Sequence, residues 1–359
     1  MKTIYRYILF MLILFVIHGC GGTDDEITDL PADGMYFPPV GNEMWESTTA
    51  SSLAWNTDKL GDLNNFLIQE NSKSFMILVN GRIVIEEYFN GHDANQTWQW
   101  NSAGKTLVTA TTGIAQQEGL LDINNKVADY LGDQWTSEPQ DKEDLIQPYH
   151  LLTMTSGIND EKELIIRSNL TYLEDAGSRW SYHNVFQRLM DVVGAASNKD
   201  FRTYFSDQLE NEIGMEGFWY NGLIFKIYHS NTRSMARFGL LALNMGLWDE
   251  EQVVDENFFI ESINSSQNIN PSYGYMWWLN GKSQFMLPGS QEVFQGPLVP
   301  NAPGEMYAAM GFAEQRVYVV PSRNMVVIRM GEASNLGDSD FALSGFDNAL
   351  WAKINAVIN

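Results

Sequence analysis

The chain has 359 residues, is 44% hydrophobic and 13% aromatic, and carries a formal charge of −23. That content supports a large buried core in one big domain or two lobes and excludes disorder over most of the length. The negative charge repels phosphate backbones, which excludes nucleic acid as a partner and suits solubility outside the cell.

Residues 1–19 read as a secretory signal. Lys2 and Arg6 give a basic start, and Ile8 to Ile17 form an apolar run too short to span a bilayer as a stable helix. Cys20, the only cysteine, follows directly. Ile17-His18-Gly19-Cys20 resembles a bacterial lipobox, in which the cysteine is lipidated and becomes the mature N-terminus, although His18 is uncommon at its position. The expectation is a lipid anchor that holds the protein to a membrane of the cell envelope, either the outer membrane or a periplasm-facing one, or at the cell surface. An ordinary signal peptide with an incidental thiol is the competing reading. Residues 20–46 are acidic and proline-bearing, as a tether would be, and Asp24-Asp25-Glu26 resembles the surface-export signal of some Bacteroidetes lipoproteins.

Beyond the tether, Leu60, Leu63, Phe66 and Leu67 predict a helix over Thr57 to Gln69 with one apolar face. Asn80-Gly81 between Phe75–Val79 and Ile83–Phe89 predicts a β-hairpin. Leu107, Ala110, Ile114 and Ala115 predict a helix from Ser102 to Gln117, ended by Gly119. The pattern then stays mainly helical: Lys126–Leu131, Pro148–Thr155, Asn184–Val193, Phe201–Glu210 and Thr232–Met245. Strand signals return at Tyr275–Leu279, Glu305–Met310, Arg316–Val320 and Met325–Met330, and a final helix is expected over Phe341–Ile358. The implied fold class is α+β. A sheet lobe is built from both chain ends (47–95 and 272–359), an all-helical lobe (96–271) is inserted between them, and a site is expected in the cleft.

The chemistry centres on Ser102-Ala-Gly-Lys105 and Tyr182-His183-Asn184. A serine hydroxyl is a weak nucleophile until a base takes its proton, and a lysine three residues on in a helix shares its face. Burial lowers the lysine pKa, so that Lys105 acts as the base or depresses the phenol of Tyr182. A second copy of the Tyr-x-Asn pattern, Tyr88-Phe89-Asn90, precedes the serine and lies at the hairpin end. His183, pointing away from its neighbours in an extended segment, is expected to pack or to support the site from behind. The five histidines show no metal-ligand spacing, so no metal and no cofactor is expected.

Asn101-Ser102-Ala-Gly-Lys105-Thr-Leu, Gly113-Ile-Ala-Gln-Gln-Glu-Gly119-Leu-Leu-Asp122, Leu151-Leu-Thr-Met-Thr-Ser-Gly157 and Trp180-Ser-Tyr182-His-Asn184 together resemble the serine β-lactamase-related family. That family includes class C β-lactamases, D,D-peptidases, esterases and aminohexanoate-dimer hydrolases. The resemblance implies an antiparallel sheet flanked by helices, an all-helical lobe, and the serine at the start of a buried helix between them. It also implies a third motif, Lys-Thr-Gly or His-x-Gly, which this chain lacks. The nearest counterpart is Ala309-Met310-Gly311, with Gln315 four residues on.

These four residues are expected to bind substrate. Gly311 would leave room for a substrate laid along the strand, and the Phe312 and Ser102 amides would form an oxyanion hole. A missing cation argues against tight binding of penicillin-like acids. The expected activity is acyl-enzyme hydrolysis of a neutral small-molecule or peptide-like ester or amide, with Asn184 orienting Lys105 and the substrate. The alternatives are a D,D-peptidase or β-lactamase, and a lapsed enzyme that only binds cell-surface ligands. Trp277 and Trp278 are expected in the core, Trp98 and Trp100 either there or at the cleft mouth, and Glu314 at the surface or on the substrate. The oligomeric state is left open.

Overall fold

The computed structural model describes residues 34–41, 44–336 and 345–359. The signal segment, Cys20 and Asp24-Asp25-Glu26 lie outside the described residues. Among the described residues no helix is long and apolar enough to cross a membrane.

The largest sheet has six antiparallel strands in the order Arg82–Tyr88, Ser72–Val79, Met325–Gly331, Gln315–Val320, Tyr307–Gly311 and Trp278–Leu279. The N-terminal hairpin therefore pairs with the C-terminal strands, Phe75 opposite Arg329, so the sheet is drawn from both chain ends as the pattern predicts. Asn80 and Gly81 turn the hairpin with φ of 49° and 78°. A Cβ on Gly81 would lie 1.8 Å from the Tyr36 carbonyl oxygen, so this turn also requires glycine for contact with the preceding strap.

Alternation along the central strands sends neighbouring side chains to opposite faces. Arg316 and Tyr318 reach Asp347 on the C-terminal helix, Gly345–Ile358. That helix shares its face with Leu60–Gln69, through Phe66 stacked on Phe346 at 5.6 Å. Val317, between them, faces the helix Thr232–Leu243, where a Cβ on Gly239 would come within 3.0 Å of its methyl group and 2.5 Å of Val326. The helix expected in the helical lobe over 232–245 thus packs on the sheet.

Three further expectations change. The 96–271 segment is not all helical: Trp98–Gln99, Lys226–Ser230 and Gly217–Asn221 form a small sheet. Its alternation, Phe218 and Tyr220 outward with Trp219 inward, is a strand period that a helical reading overlooks. The strand expected over 275–279 shrinks to Trp278–Leu279 because Met276 has φ 60° and its amide bonds the Leu152 carbonyl. Finally, the folded body begins before residue 47. Tyr36 N–H bonds the Asn80 carbonyl, and the buried Arg237 guanidinium donates to the carbonyls of Pro38 and Pro39.

A buried ion pair locks the C-terminal helix to the sheet. Arg316 donates to both Asp347 carboxylate oxygens at 2.6 and 2.9 Å, Tyr318 donates to the same carboxylate, and the Arg316 Nη1 also bonds the Gly311 carbonyl at 2.7 Å. Removing one partner leaves the other charged and desolvated. Asp347→Ala is therefore expected to cost about 3–5 kcal/mol in urea unfolding. Replacing Arg316 and Asp347 together by methionine and leucine should cost less than the single change. Equal costs would show that the pair's charge is irrelevant.

Candidate active site

The turn that carries the nucleophile is built by its neighbours. Trp100 is fully buried, its indole N–H bonds Ser230 Oγ at 2.8 Å, and its amide bonds the Tyr228 carbonyl, which pins the chain before Ser102. It is core, and Trp98, whose indole bonds the Gly331 carbonyl, does not line the cleft either. Asn101 takes a left-handed conformation (φ 49°), opening a short 3-10 turn, Asn101–Gly104, that runs into the buried helix Lys105–Gln117. Ser102 sits at the N-terminal end of this unit, and Lys105 falls one turn below it.

Lys105 Nζ donates to Ser102 Oγ at 2.7 Å. The ammonium lies 4.5 Å from the ring centre of Tyr182 and 4.6 Å from that of Phe186. Burial pulls the Lys105 pKa down from 10.5 to about 7, against a smaller upward pull from the Glu163 carboxylate. Tyr182 moves the other way. Burial pushes its phenol well above the ordinary value, although its hydrogen bond with Ser102 and the charge of Arg316 oppose this. The phenol pKa depression considered for Tyr182 is therefore absent, and of the two groups only Lys105 is tuned towards neutral pH. Tyr182 is held by stacking on Trp278 at 5.9 Å and by the edge of Tyr273 at 6.1 Å. Trp277 and Trp278 are both core.

The Tyr-x-Asn segment is stitched to a loop that the sequence did not single out. Ser181 Oγ donates to Asp160, His183 Nε2 donates to the Lys162 carbonyl at 2.9 Å, and Asn184 Nδ2 donates to the carbonyl and carboxylate of Glu163. His183 thus packs and braces. Asn184 reaches Glu163 instead of Lys105, so its influence on the lysine passes through that carboxylate.

The strand Tyr307–Gly311 runs behind the nucleophile's turn. A Cβ on Gly311 would lie 2.4 Å from the Trp100 carbonyl oxygen, 2.9 Å from the Ala103 nitrogen and 3.1 Å from the Ser102 nitrogen. Glycine is required there by the turn that bears Ser102, a different reason from substrate clearance. Ala309 and Met310 are buried in the sheet and do not line the cavity. Gln315 is also turned inward: its Nε2 donates to the carbonyls of Phe312, Ala313 and Gly331, and its Oε1 accepts from the Gly331 amide. Glu314 is buried and accepts from Ser334, away from the cleft. Of this stretch only Phe312, next after the strand, reaches the cavity.

Phe312 is carefully placed. Asn101 Nδ2 donates to its carbonyl at 2.9 Å, Arg316 holds the Gly311 carbonyl, and Arg329 Nη1 holds those of Ala313 and Glu314. Ala313 and Glu314 both have positive φ, 56° and 49°, which this set of donors sustains.

The resulting cavity has a volume of about 510 Å³. Ser102, Lys105, Tyr182 and Asn184 lie on its wall, with Asp160, Glu163 and Lys226 as further charged lining residues. Lys226 Nζ stands 3.6 Å from Asp191. Phe186, Trp219, Phe225, Ile227 and Phe312 supply the apolar lining. Among the described residues no cluster of histidine, cysteine or acidic side chains could hold a metal ion.

A search of the curated proteins finds no match. Solved structures match over most of the chain. A candidate β-lactamase from Bacteroides dorei superposes with a TM-score of 0.65 at 13% identity, covering 85% of this chain and 99% of that one. A candidate 6-aminohexanoate-dimer hydrolase from Bacillus anthracis gives 0.66 at 17% identity, covering 87% and 86%. EstCE1, a hydrolase with promiscuous acyltransferase activity, gives 0.63 at 11% identity, covering 86% and 99%. At these identities the likeness shows the shared fold. The Beta-lactamase family model matches residues 67–342 of the sequence, and with that match the chain belongs to the serine β-lactamase-related family of hydrolases.

Proposed function

We propose that the protein hydrolyses a neutral ester or amide through an acyl-enzyme on Ser102. The observation that carries this reading is the 2.7 Å contact between Ser102 Oγ and a buried lysine whose pKa is about 7, at the wall of a substrate-sized cavity. Neutral Lys105 takes the hydroxyl proton as Oγ attacks the carbonyl carbon. The oxyanion forms against the Ser102 and Phe312 amides. Its collapse breaks the bond to the leaving group, which receives the proton from Lys105 directly or through the Tyr182 hydroxyl. Water then attacks the Ser102 ester, giving up its proton to Lys105, and releases the acid. Through Cys20, this chemistry is placed on a lipid anchor at the cell envelope.

Preference for a neutral substrate follows from the charges in the cavity. Glu163 disfavours a substrate carboxylate, Asp160 is already paired with Arg179 at 3.1 Å, and Lys226, the cation on the wall besides Lys105, already stands near Asp191. Expected on this basis is measurable kcat/KM on p-nitrophenyl acetate and at least 100-fold lower kcat/KM on a chromogenic cephalosporin. Efficient cephalosporin turnover would move the assignment to a β-lactamase or D,D-peptidase.

A further inference from the structure

The hairpin from Gly217 to Ser230 presents two aromatic residues to the cavity in different ways. Trp219 points inward, and the tip of its indole lies 4.0 Å from where a Cβ on Gly104 would stand, two residues after the nucleophile. Phe225 stands at the rim, 48% exposed, yet its backbone is not loose. The buried Gln187 donates through Nε2 to the Ile224 carbonyl at 2.9 Å and accepts at Oε1 from the Lys226 amide at 2.8 Å. One side chain thus clamps the chain on both sides of Phe225. The Phe225 carbonyl is taken in turn by the Gly222 amide at 2.9 Å. Gln187 belongs to the same short turn as Asn184, so the clamp ties this rim residue to the catalytic segment.

The clamp gives the buried Gln187 amide its partners and at the same time sets the backbone that carries the Phe225 ring, whose own burial contributes little to the core. Fixing it does serve binding, since a preorganised apolar wall loses no conformational entropy when a ligand lands on it. The wall adjoins Ser102's own turn through Trp219, and Phe186 lies beside Lys105. This places apolar surface within reach of a group attached to Ser102.

Resting on the serine-hydrolase reading above, we propose that Phe225, clamped by Gln187 and sharing the cavity lining with Trp219 and Ile227, is a specificity platform for an apolar acyl chain. The substrate class is then a neutral ester or amide of a medium-length or aromatic carboxylic acid. Phe225 touches the acyl chain, and Gln187 is a positioning residue that acts through it.

The test uses p-nitrophenyl acetate and p-nitrophenyl hexanoate, with the ratio of their kcat/KM values as the readout. Wild-type protein should prefer hexanoate about tenfold or more, and Phe225→Ala should reduce that ratio about tenfold. Gln187→Ala should also reduce it, and Gln187→Glu, which keeps the acceptor for the Lys226 amide, should fall between. A parallel series of acetate esters with lengthening alcohols covers the leaving group. Labelling of Ser102 by a fluorophosphonate is followed in every variant to show an intact nucleophile. An unchanged ratio in a labelled Phe225→Ala protein, or a preference that follows alcohol length instead, overturns this inference alone. Folded wild-type protein that neither labels nor turns over any ester overturns the hydrolase reading and this one with it.

Discussion

Ser102→Ala is expected to remove ester hydrolysis by about 10,000-fold or more and to abolish labelling by a fluorophosphonate, while leaving the fold in place. Ser102 is partly exposed in a cavity, and its hydroxyl meets Lys105 and Tyr182. Losing it removes one oxygen without opening a gap in the hydrophobic core. The probe reports the same chemistry independently of any natural substrate, since Oγ displaces fluoride from phosphorus under the same base and the same amide donors. The change should leave the Lys105 amine in its pocket, so the thermal midpoint should stay within a few degrees of wild type. Retained labelling would show that another nucleophile carries the reaction. Labelling that is absent from folded wild type would mean that the Ser102–Lys105 pair is not a working nucleophile at all, as in the lapsed-enzyme alternative.

What the sequence made legible is local. Ser102 and Lys105 are one helical turn apart, and the turn itself brings Oγ and Nζ together. The β-hairpin at Asn80-Gly81 is read from its own residues, and the sheet follows from strand periods at both chain ends. Residues that meet only through long-range packing left no such trace. Glu163 and Asp160 come from an irregular loop, and Gln187 meets Ile224 and Lys226, the neighbours of Phe225, through two hydrogen bonds across separate elements. The third motif differs from its expected role for a physical reason. The stretch Ala309–Gly311 lies behind the nucleophile's turn, so its side chains face the sheet interior, and only Phe312 emerges.

The sequence does carry one signal of this scaffold. Arg316 and Arg329 sit within apolar strand runs, and a buried guanidinium needs partners. Here those partners are Asp347 and the carbonyls of Gly311, Ala313 and Glu314, which are the groups that shape the loop around Phe312. A charged residue interrupting a core strand marks the place where the site's scaffold is tied down.

Lys105→Met should give the second large effect, and it has two parts of opposite sign. Activity should fall about 1,000-fold or more, because the Ser102 proton loses its acceptor. Wild-type kcat/KM should rise with pH through a midpoint near 7, as Lys105 becomes neutral, and the residual activity of the variant should lack that limb. Stability should move the other way. Lys105 ionises at about 7 when folded and near 10.5 when unfolded, so between those values the unfolded chain binds the extra proton. On this account the wild-type protein loses stability as pH falls from 10.5 to about 7, and the full cost is present below that. Methionine fills a similar volume without the charge. At 1.4 kcal/mol per pKa unit, less the lost bond to Ser102, the variant should be about 2–4 kcal/mol more stable in urea at pH 6. Its margin should shrink steadily towards pH 10. A margin that does not change with pH, or a variant less stable than wild type at pH 6, would show that Lys105 stays charged in the fold and is not the resting base. Buried where its ammonium form costs stability, Lys105 is then kept for its proton chemistry, and Glu163, by pulling its pKa upward, limits that cost.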